Sequence, residues 1–317
     1  MKPFPIASAA LIAVSAFTSA HAEERITYRS AAAGSSYYQM GVEIAEAVRE
    51  ATDGGMIVTI EEGQGSVQNV MEVRARGADY VFTAPPALIG AAKKAAGPFE
   101  GKGNPAFDEI RALFPIPSLT MHFVMAGTSG ATNIMDVSGK TILIGSGTFG
   151  ASEAQKYLDL FGLTESVTLA DAELNNAVAA LKNGQIEGFV TAGSFPAPNV
   201  VEAAASMDVT LLSLTDDQVA QTKRTRLVIP AGTYAGQKED VVTTSLPVAA
   251  YATTKMSDEA AYELTKTFWE QREAMAKTAP WWGGVNAGLM SSINVTFHPG
   301  AIRYYEEAGM ALTEEQK

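Results

Sequence analysis

The chain has 317 residues, of which 47% are apolar and 18% charged, with 28 glycines, 14 prolines and no cysteine. This composition is typical of a folded globular protein, and a sequence without cysteine excludes disulfides, thiolate metal sites and a cysteine nucleophile. The formal charge of −12 has the wrong sign for attraction to a phosphate backbone, so no nucleic-acid partner is expected.

The first 22 residues have the pattern of a secretory signal peptide. Lys2 supplies a positive charge, residues 6–17 form an apolar run, and Ala20-His21-Ala22 matches a small-residue cleavage site. A membrane anchor is the alternative, but the run is much shorter than the roughly 20 residues that a spanning helix needs. We therefore expect cleavage after Ala22, a mature chain in the periplasm, and no membrane insertion after cleavage.

Strand and helix signals alternate through the rest of the chain. In the first helix Met40, Ile44 and Val48 recur at helical spacing, and Ser66 is the predicted cap of the second. The predicted strands are 26–29, 56–60, 80–83, 141–144, 166–169, 186–190 and 209–212. The predicted helices include 171–181, 216–222 and 257–277, and extended segments are predicted at 120–126, 227–229 and 241–252.

This alternation predicts an α/β fold with parallel sheets and right-handed crossovers. Because the strand–loop–helix cadence occurs twice, we expect two lobes of similar plan with a ligand cleft between them. The predicted lobes are residues 23–125 with 231–317, and residues 126–230, after a signal peptide at 1–22. Segments 120–126 and 227–230 are the predicted crossings between the lobes.

The loop that begins at Gly145 matches the G-x-G-x-x-G spacing of dinucleotide-binding proteins, and Asp171 follows at the distance of a ribose partner. Three interpretations are open: an exported dinucleotide-binding oxidoreductase, a purely structural tight turn, or a site for an anion. The anion site is favoured, because glycines and a helix N-terminus bind any anion through backbone N–H groups, and because NAD is not maintained outside the cytoplasm.

Other loops at the same sheet edge contribute small and hydroxyl residues. Ser35 and Ser36 begin a helix whose first N–H groups lack partners. Of Tyr37 and Tyr38, which point about 100° apart on a helix, only one faces the cleft. Residues 63–66, 83–86 and 191–196 supply the remaining loops.

Catalytic motifs are missing from the sequence by comparison. It contains no G-x-S-x-G nucleophile elbow and no H-E-x-x-H metal helix. We interpret His122 as a satisfied core or cleft histidine and His298, before Pro299, as a structural turn residue. No enzyme activity, cofactor or metal is therefore expected, and a secreted adhesion or structural protein is a further alternative to a solute receptor.

Five motifs in fixed order carry a family resemblance. They are Tyr37-Tyr38-x-x-Gly41, Gly65-Ser66-Val67-x-Asn69, Val137-Ser138-Gly139-Lys140 leading to Gly145-Ser146-Gly147-Thr148, Ile229-Pro230-Ala231-Gly232-Thr233-Tyr234, and His298-Pro299-Gly300-Ala301-Ile302-Arg303-Tyr304-Tyr305. Together with the signal peptide, the sequence resembles the TAXI-type solute-binding proteins of tripartite ATP-independent periplasmic (TRAP) transporters over essentially the whole mature chain.

The resemblance implies a two-lobed type II periplasmic-binding-protein fold. It also implies capture of a small organic anion, such as glutamate, 2-oxoglutarate or a related carboxylate, for membrane permease subunits driven by an ion gradient. The sequence departs from the family pattern at residues 31–34 and 83–86, which suggests a smaller or more apolar acid than glutamate. The predicted ligand contacts are Gly34, Ser35, Ser36, Tyr38, Ser66, Thr83, Gly145, Ser146, Gly147, Thr148, Thr191 and Phe195.

Overall fold

The structure is a computed structural model, and it describes residues 23–33, 35–146 and 148–317. The predicted signal peptide, Gly34 and Gly147 lie outside the described residues. The described part of the chain folds into one mixed sheet of ten strands with helices packed against it.

The strands and helices follow the predicted alternation closely. The strands are β1 (Glu24–Arg29), β2 (Met56–Glu61), β3 (Tyr80–Ala84), β4 (Ile110–Ala126), β5 (Thr141–Leu143), β6 (Thr168–Ala170), β7 (Gly188–Gly193), β8 (Val209–Leu211), β9 (Thr225–Ile229) and β10 (Val241–Thr253). The helices are α1 (Ser36–Ala51), α2 (Ser66–Glu72), α3 (Pro86–Lys93), α4 (Phe149–Leu160), α5 (Ala177–Lys182), α6 (Pro198–Ser206), α7 (Asp216–Thr222), α8 (Asp258–Thr278) and α9 (Pro299–Glu307).

The sheet consists of two parallel parts joined by antiparallel strands. Its order is β2-β1-β3-β10-β4-β7-β5-β6, with β8 added beside β4 and β9 beside β10. Strand β1 is parallel to β2 and β3, and β5 is parallel to β6 and β7, as the alternating pattern predicted. The two long strands β4 and β10 are antiparallel to their neighbours, a direction that the prediction of parallel sheets did not include. They carry the chain between the two parts in opposite directions.

A β-bulge interrupts the pairing of the two long strands. Leu119 pairs with Leu246 and Ile116 with Val248, so Pro117 and Ser118 lie opposite the single residue Pro247. Proline has no N–H to donate to the ladder, and a bulge bends the strand that contains it. The sheet therefore has a natural bending point between its two parts.

The pairing of β9 revises the second predicted crossing. β9 is antiparallel to residues 241–245 of β10, so both segments belong to the same part of the sheet. The chain crosses back within β10 and not at residues 227–230, because the turn after β9 reverses the chain before it leaves that part. The first predicted crossing, residues 120–126, lies inside β4. No observation tests the predicted lobe boundaries, which stay a prediction.

Helix α1 buries the predicted face, with Met40, Ile44 and Val48 each at most 1% exposed. The helix predicted over residues 171–181 begins only at Ala177, after a short 3₁₀ turn at Leu174–Asn176. Two consecutive asparagines have low helix propensity. Leu174 also packs directly against Gly145, which fixes this turn against the end of β5.

Candidate functional site

The N-terminus of α1 faces the end of β7. Ser35 is the N-cap, and its hydroxyl accepts the Tyr38 N–H at 3.2 Å and donates to the Ala32 carbonyl at 2.7 Å. The Ser36 hydroxyl instead accepts the backbone N–H of Ser194 at 3.1 Å. Ser36 and Ser194 are each 3% exposed. Ser35 thus shapes the start of α1, and Ser36 links that helix to the loop after β7.

Two helices approach the end of β7 closely because glycines stand at the contacts. A Cβ on Gly193 would lie 2.7 Å from the Ser36 hydroxyl oxygen, and a Cβ on Gly150, in the first turn of α4, would lie 2.8 Å from the Ala192 Cβ. The carboxyl end of β7 therefore lies between the N-termini of α1 and α4. Helix N-termini present unpaired N–H groups and positive partial charge, so their convergence suits an anion.

The Gly145 loop has a structural reason for each of its described special residues. Gly145 has φ +69°, and a Cβ there would lie 2.8 Å from the Leu174 Cβ. Thr148 is the N-cap of α4: its hydroxyl accepts the Ala151 N–H at 3.0 Å and donates to the Gly145 carbonyl at 3.0 Å. Ser146 is exposed. Packing on Leu174 and Ala192 thus accounts for Gly145 and Gly150 without a dinucleotide. The exposed Ser146 hydroxyl is better placed than the Thr148 hydroxyl to meet a ligand.

The first part of the sheet contributes buried polar groups at the ends of β1 and β3. The Thr83 hydroxyl hydrogen-bonds to the Tyr28 hydroxyl at 2.8 Å. Asn69, buried at 1% exposure, donates to the Ser30 carbonyl at 2.7 Å and to the Thr83 carbonyl at 3.0 Å. Asn69 therefore fastens two loops of the candidate site together. The sequence contained it in a family motif, but it was not among the predicted contacts.

The prediction that Ser66 caps α2 is wrong. Gly65 occupies the N-cap position with φ +117°, and Ser66 is the first helical residue. A positive φ of that size favours glycine over any side chain, so the glycine turn and not the serine hydroxyl begins the helix. Ser66 is half-buried.

The two adjacent tyrosines differ as expected for neighbours on a helix. Tyr37 is buried, and its hydroxyl donates to the Pro117 carbonyl in the bulge of β4 at 3.1 Å. Burial raises the pKa of the Tyr37 hydroxyl well above its usual range, so it is neutral. Tyr38 is half-buried. Tyr37 thus packs toward the bending point, and Tyr38 stays the predicted ligand contact.

Residues after β7 form the remaining wall. Thr191 was predicted in a loop but lies within β7, because the strand continues to Gly193. Its hydroxyl accepts a hydrogen bond from the Asn199 side-chain amide at 3.1 Å. The Ser194 hydroxyl donates to the Ser118 carbonyl at 3.0 Å, and Phe195 is half-buried. Ser194 was not a predicted contact, although it lies inside the loop that the sequence indicated.

The two histidines of the described chain have the structural roles that the sequence predicted. His122 is 1% exposed, and burial lowers its pKa to about 4, so the ring is neutral near pH 7. Its Nδ1 lies 3.1 Å from the Thr120 carbonyl and its Nε2 2.8 Å from the Tyr234 hydroxyl. His298 is the N-cap of α9, where Nδ1 accepts the Gly300 N–H at 3.3 Å.

Within residues 23–33, 35–146 and 148–317, no group of three or more histidine, aspartate or glutamate side chains is arranged to hold a metal ion. Over the same residues, no helix combines the length and the apolar character needed to cross a membrane.

The two-lobed α/β fold is that of the periplasmic binding proteins. The periplasmic binding protein BugD superposes with a TM-score of 0.60 at 12% identity, over 91% of this chain and 98% of that chain. A substrate-binding protein of an ABC uptake transporter from Streptococcus pneumoniae, solved with bound histidine, gives 0.51 at 12% identity, over 84% and 95%. A protein from Bordetella bronchiseptica RB50 gives 0.50 at 16% identity, over 92% and 85%.

The chain belongs to the NMT1-like family, whose model matches residues 29–309. That match extends over both parts of the sheet, from the last residue of β1 to the turn that follows α9. The predicted fold class is therefore confirmed.

Proposed function

We propose that this protein is a periplasmic solute receptor that captures a small organic anion between its two lobes and delivers it to a membrane permease. The observation that carries the proposal is the convergence of the α1 and α4 N-termini on the end of β7, with the Ser36 hydroxyl bonded to Ser194 across the lobes. The signal peptide predicted at residues 1–22 supports the periplasmic location.

Backbone donors make this place suitable for a carboxylate. The first N–H groups of a helix have no partner within it, and the helix dipole adds favourable potential within the first turn. These local groups act on a bound anion at contact distance, whereas the protein's net charge of −12 is spread over the surface and screened by salt. An acidic protein that binds an anion is therefore not a contradiction.

The proposed solutes are glutamate, 2-oxoglutarate or a related carboxylate, and the proposed partners are TRAP permease subunits. Both come from the motifs shared with TAXI-type receptors. The apolar Pro85, two residues after Thr83, favours a smaller or more apolar acid within this class. An ABC transporter as partner is the alternative, since the neighbour from Streptococcus pneumoniae is described as part of one.

The proposed contacts keep the predicted set, with two changes of emphasis. Ser36, Ser146 and the end of β7 bind the anion, while Ser35 and Thr148 shape the helix starts through their capping bonds. We keep residues 23–125 with 231–317 and residues 126–230 as the lobes, except that residues 231–245 go with the second lobe, because β10 pairs with β9 there. The bulge of β4 and β10 is the proposed hinge.

Native mass spectrometry of the mature chain, purified without refolding, tests the capture of a solute directly. A co-purified carboxylate is the expected result. Thermal unfolding with L-glutamate, 2-oxoglutarate, pyruvate and L-histidine follows: a ligand at 100 times its Kd stabilises the folded state by about 2.7 kcal/mol. Titration with NADH, followed by its fluorescence, is the control for the oxidoreductase alternative. Stabilisation by NADH but by no carboxylate would overturn the proposal.

A further inference from the structure

A chain of hydrogen bonds runs from the candidate site into the interior of the second part of the sheet. The Ala197 N–H donates to the Tyr234 hydroxyl at 2.8 Å, that hydroxyl lies 2.8 Å from His122 Nε2, and His122 Nδ1 lies 3.1 Å from the Thr120 carbonyl. We call this series the Tyr234 chain. It links three segments that are far apart in sequence: the loop after β7, the turn between β9 and β10, and β4.

The direction of every bond in the Tyr234 chain is fixed by its two ends. A backbone N–H only donates and a carbonyl only accepts. The Tyr234 hydroxyl therefore accepts a hydrogen bond from the Ala197 N–H and donates one to His122 Nε2. The protonated Nδ1 of His122 donates to the Thr120 carbonyl. In this arrangement each polar group has a hydrogen-bond partner. The arrangement requires a neutral His122 ring that is protonated on Nδ1.

The residues of the Tyr234 chain are almost inaccessible to solvent. Tyr234 is 3% exposed, His122 1% and Ala197 2%. Water cannot replace a lost partner at such positions, and a buried polar group without a partner costs about 1–3 kcal/mol. The bond from Ala197 to Tyr234 therefore restrains the backbone of the loop.

Residues 194–197, the site segment, are held at both ends. At its start, the Ser194 hydroxyl donates to the Ser118 carbonyl, and the Ser194 N–H donates to Ser36 in the other lobe. At its end, Ala197 is the N-cap of α6 and is fastened by Tyr234. Phe195, a predicted ligand contact, lies between these two attachments.

We propose that Tyr234 is a positioning residue for ligand binding: through its hydroxyl it holds the site segment in the conformation that presents Ser194 and Phe195 to the cleft. Tyr234 itself contacts Ala197 and His122 and not the ligand. The binding consequence rests on the proposed function, whereas the restraint of the site segment is a property of the ligand-free protein.

Hydrogen–deuterium exchange of the ligand-free mature protein tests the restraint. Tyr234→Phe removes the acceptor of the Ala197 N–H, and we expect exchange within the site segment to rise up to about tenfold, the value of one hydrogen bond. Tyr157→Phe is the matched control, since Tyr157 is also buried and bonds through its hydroxyl, to Thr244 at 2.6 Å. It should leave the site segment unchanged.

Two variants of His122 separate positioning from general destabilisation. His122→Gln offers an acceptor to Tyr234 and a donor to Thr120, so the site segment should stay as protected from exchange as in wild type. His122→Leu offers neither an acceptor nor a donor, so exchange of the site segment should rise as it does in Tyr234→Phe. Equal exchange of the site segment in wild type and Tyr234→Phe, or a uniform rise along the whole chain, would overturn the proposal.

Calorimetric titration with L-glutamate, 2-oxoglutarate and pyruvate completes the test. For a probe that binds wild type, Tyr234→Phe should weaken binding by about tenfold and Tyr157→Phe should not. Unchanged affinity in Tyr234→Phe, despite faster exchange of the site segment, would also refute positioning. If wild type binds none of the three probes, the solute assignment fails, and the exchange experiment still decides the role of Tyr234.

Discussion

Gly193, at the end of β7, and Ser36, at the start of α1, approach so closely that no side chain fits between them. A Cβ on Gly193 would lie 2.7 Å from the Ser36 hydroxyl oxygen, the same oxygen that accepts the Ser194 N–H at 3.1 Å. The approach of α1 to β7 therefore depends on one residue that lacks a side chain.

Gly193→Ala is expected to weaken closure of the lobes, because its methyl group displaces the Ser36 hydroxyl from Ser194. The variant should show a larger radius of gyration by small-angle scattering and weaker solute binding than wild type. Gly90→Ala is the control, since a Cβ there meets nothing within 4 Å. Adding Ser36→Ala removes the clashing oxygen and should restore part of the compactness. A double variant as expanded as Gly193→Ala would contradict this explanation.

Thr148→Ala and Ser146→Ala are expected to have different effects. Thr148 caps α4, so its loss should lower the free energy of unfolding by about 1 kcal/mol, measured by urea denaturation. Ser146 is exposed, so its loss should change stability by less than about 0.5 kcal/mol. If its hydroxyl contacts the anion, affinity falls about tenfold or more. Equal stability of the two variants would remove the capping role.

Removing the Arg224 partner of the buried Glu153 is expected to destabilise the protein strongly. Glu153 is fully buried and accepts two hydrogen bonds from the Arg224 guanidinium, each of 3.0 Å. Arg224→Ala removes both of these hydrogen bonds, leaves only the Lys156 contact at 2.6 Å, and should cost about 3 kcal/mol. The matched control is Arg226→Ala, whose partner Asp216 is exposed, with an expected cost of at most about 1 kcal/mol. Similar denaturation midpoints for both variants would contradict the prediction.

Acid is expected to destabilise the protein through His122. Burial lowers its pKa from 6.5 to about 4, so the unfolded chain binds a proton at a higher pH than the folded chain does. The stability that neutral His122 contributes to the folded state is fully present above about pH 6.5. It is lost as the pH falls toward 4, by about 3 kcal/mol in all. Denaturation of His122→Gln over the same range is the control, because carboxylates titrate in both proteins. Parallel stability curves would refute the assignment.

The local signals in the sequence were sufficient for most helices and strands. Helix α7 has the predicted bounds, because Thr215 and Gln218 form a capping box at its start. The buried face of α1 follows from the spacing of Met40, Ile44 and Val48. The predicted roles of both histidines agree with their hydrogen bonds, since they rested on immediate neighbours. Boundaries shifted where distant packing intervened, as at Leu174 beside Gly145.

Candidate site residues were only partly readable from the sequence. Small and hydroxyl residues after strands pointed to loops that the structure places at the ends of β1, β3, β5 and β7, but residue type does not say whether a hydroxyl is free. Ser35 and Thr148 cap their own helices, whereas the Ser36 hydroxyl reaches the Ser194 N–H after β7. Ser194 and Asn69 gain their importance from backbone groups that other strands supply.

The sequence by itself determined the α/β class, the order of the elements and the acidic, cysteine-free composition, because these depend on residue type and short-range spacing. Only the tertiary structure decided the pairing of β4 with β10, the contact of Gly193 with Ser36 and the bond between Tyr234 and His122. These relationships join residues far apart along the chain. Their partners are selected when the whole sheet closes its hydrogen bonds and buries its apolar surface, and no local pattern records that selection.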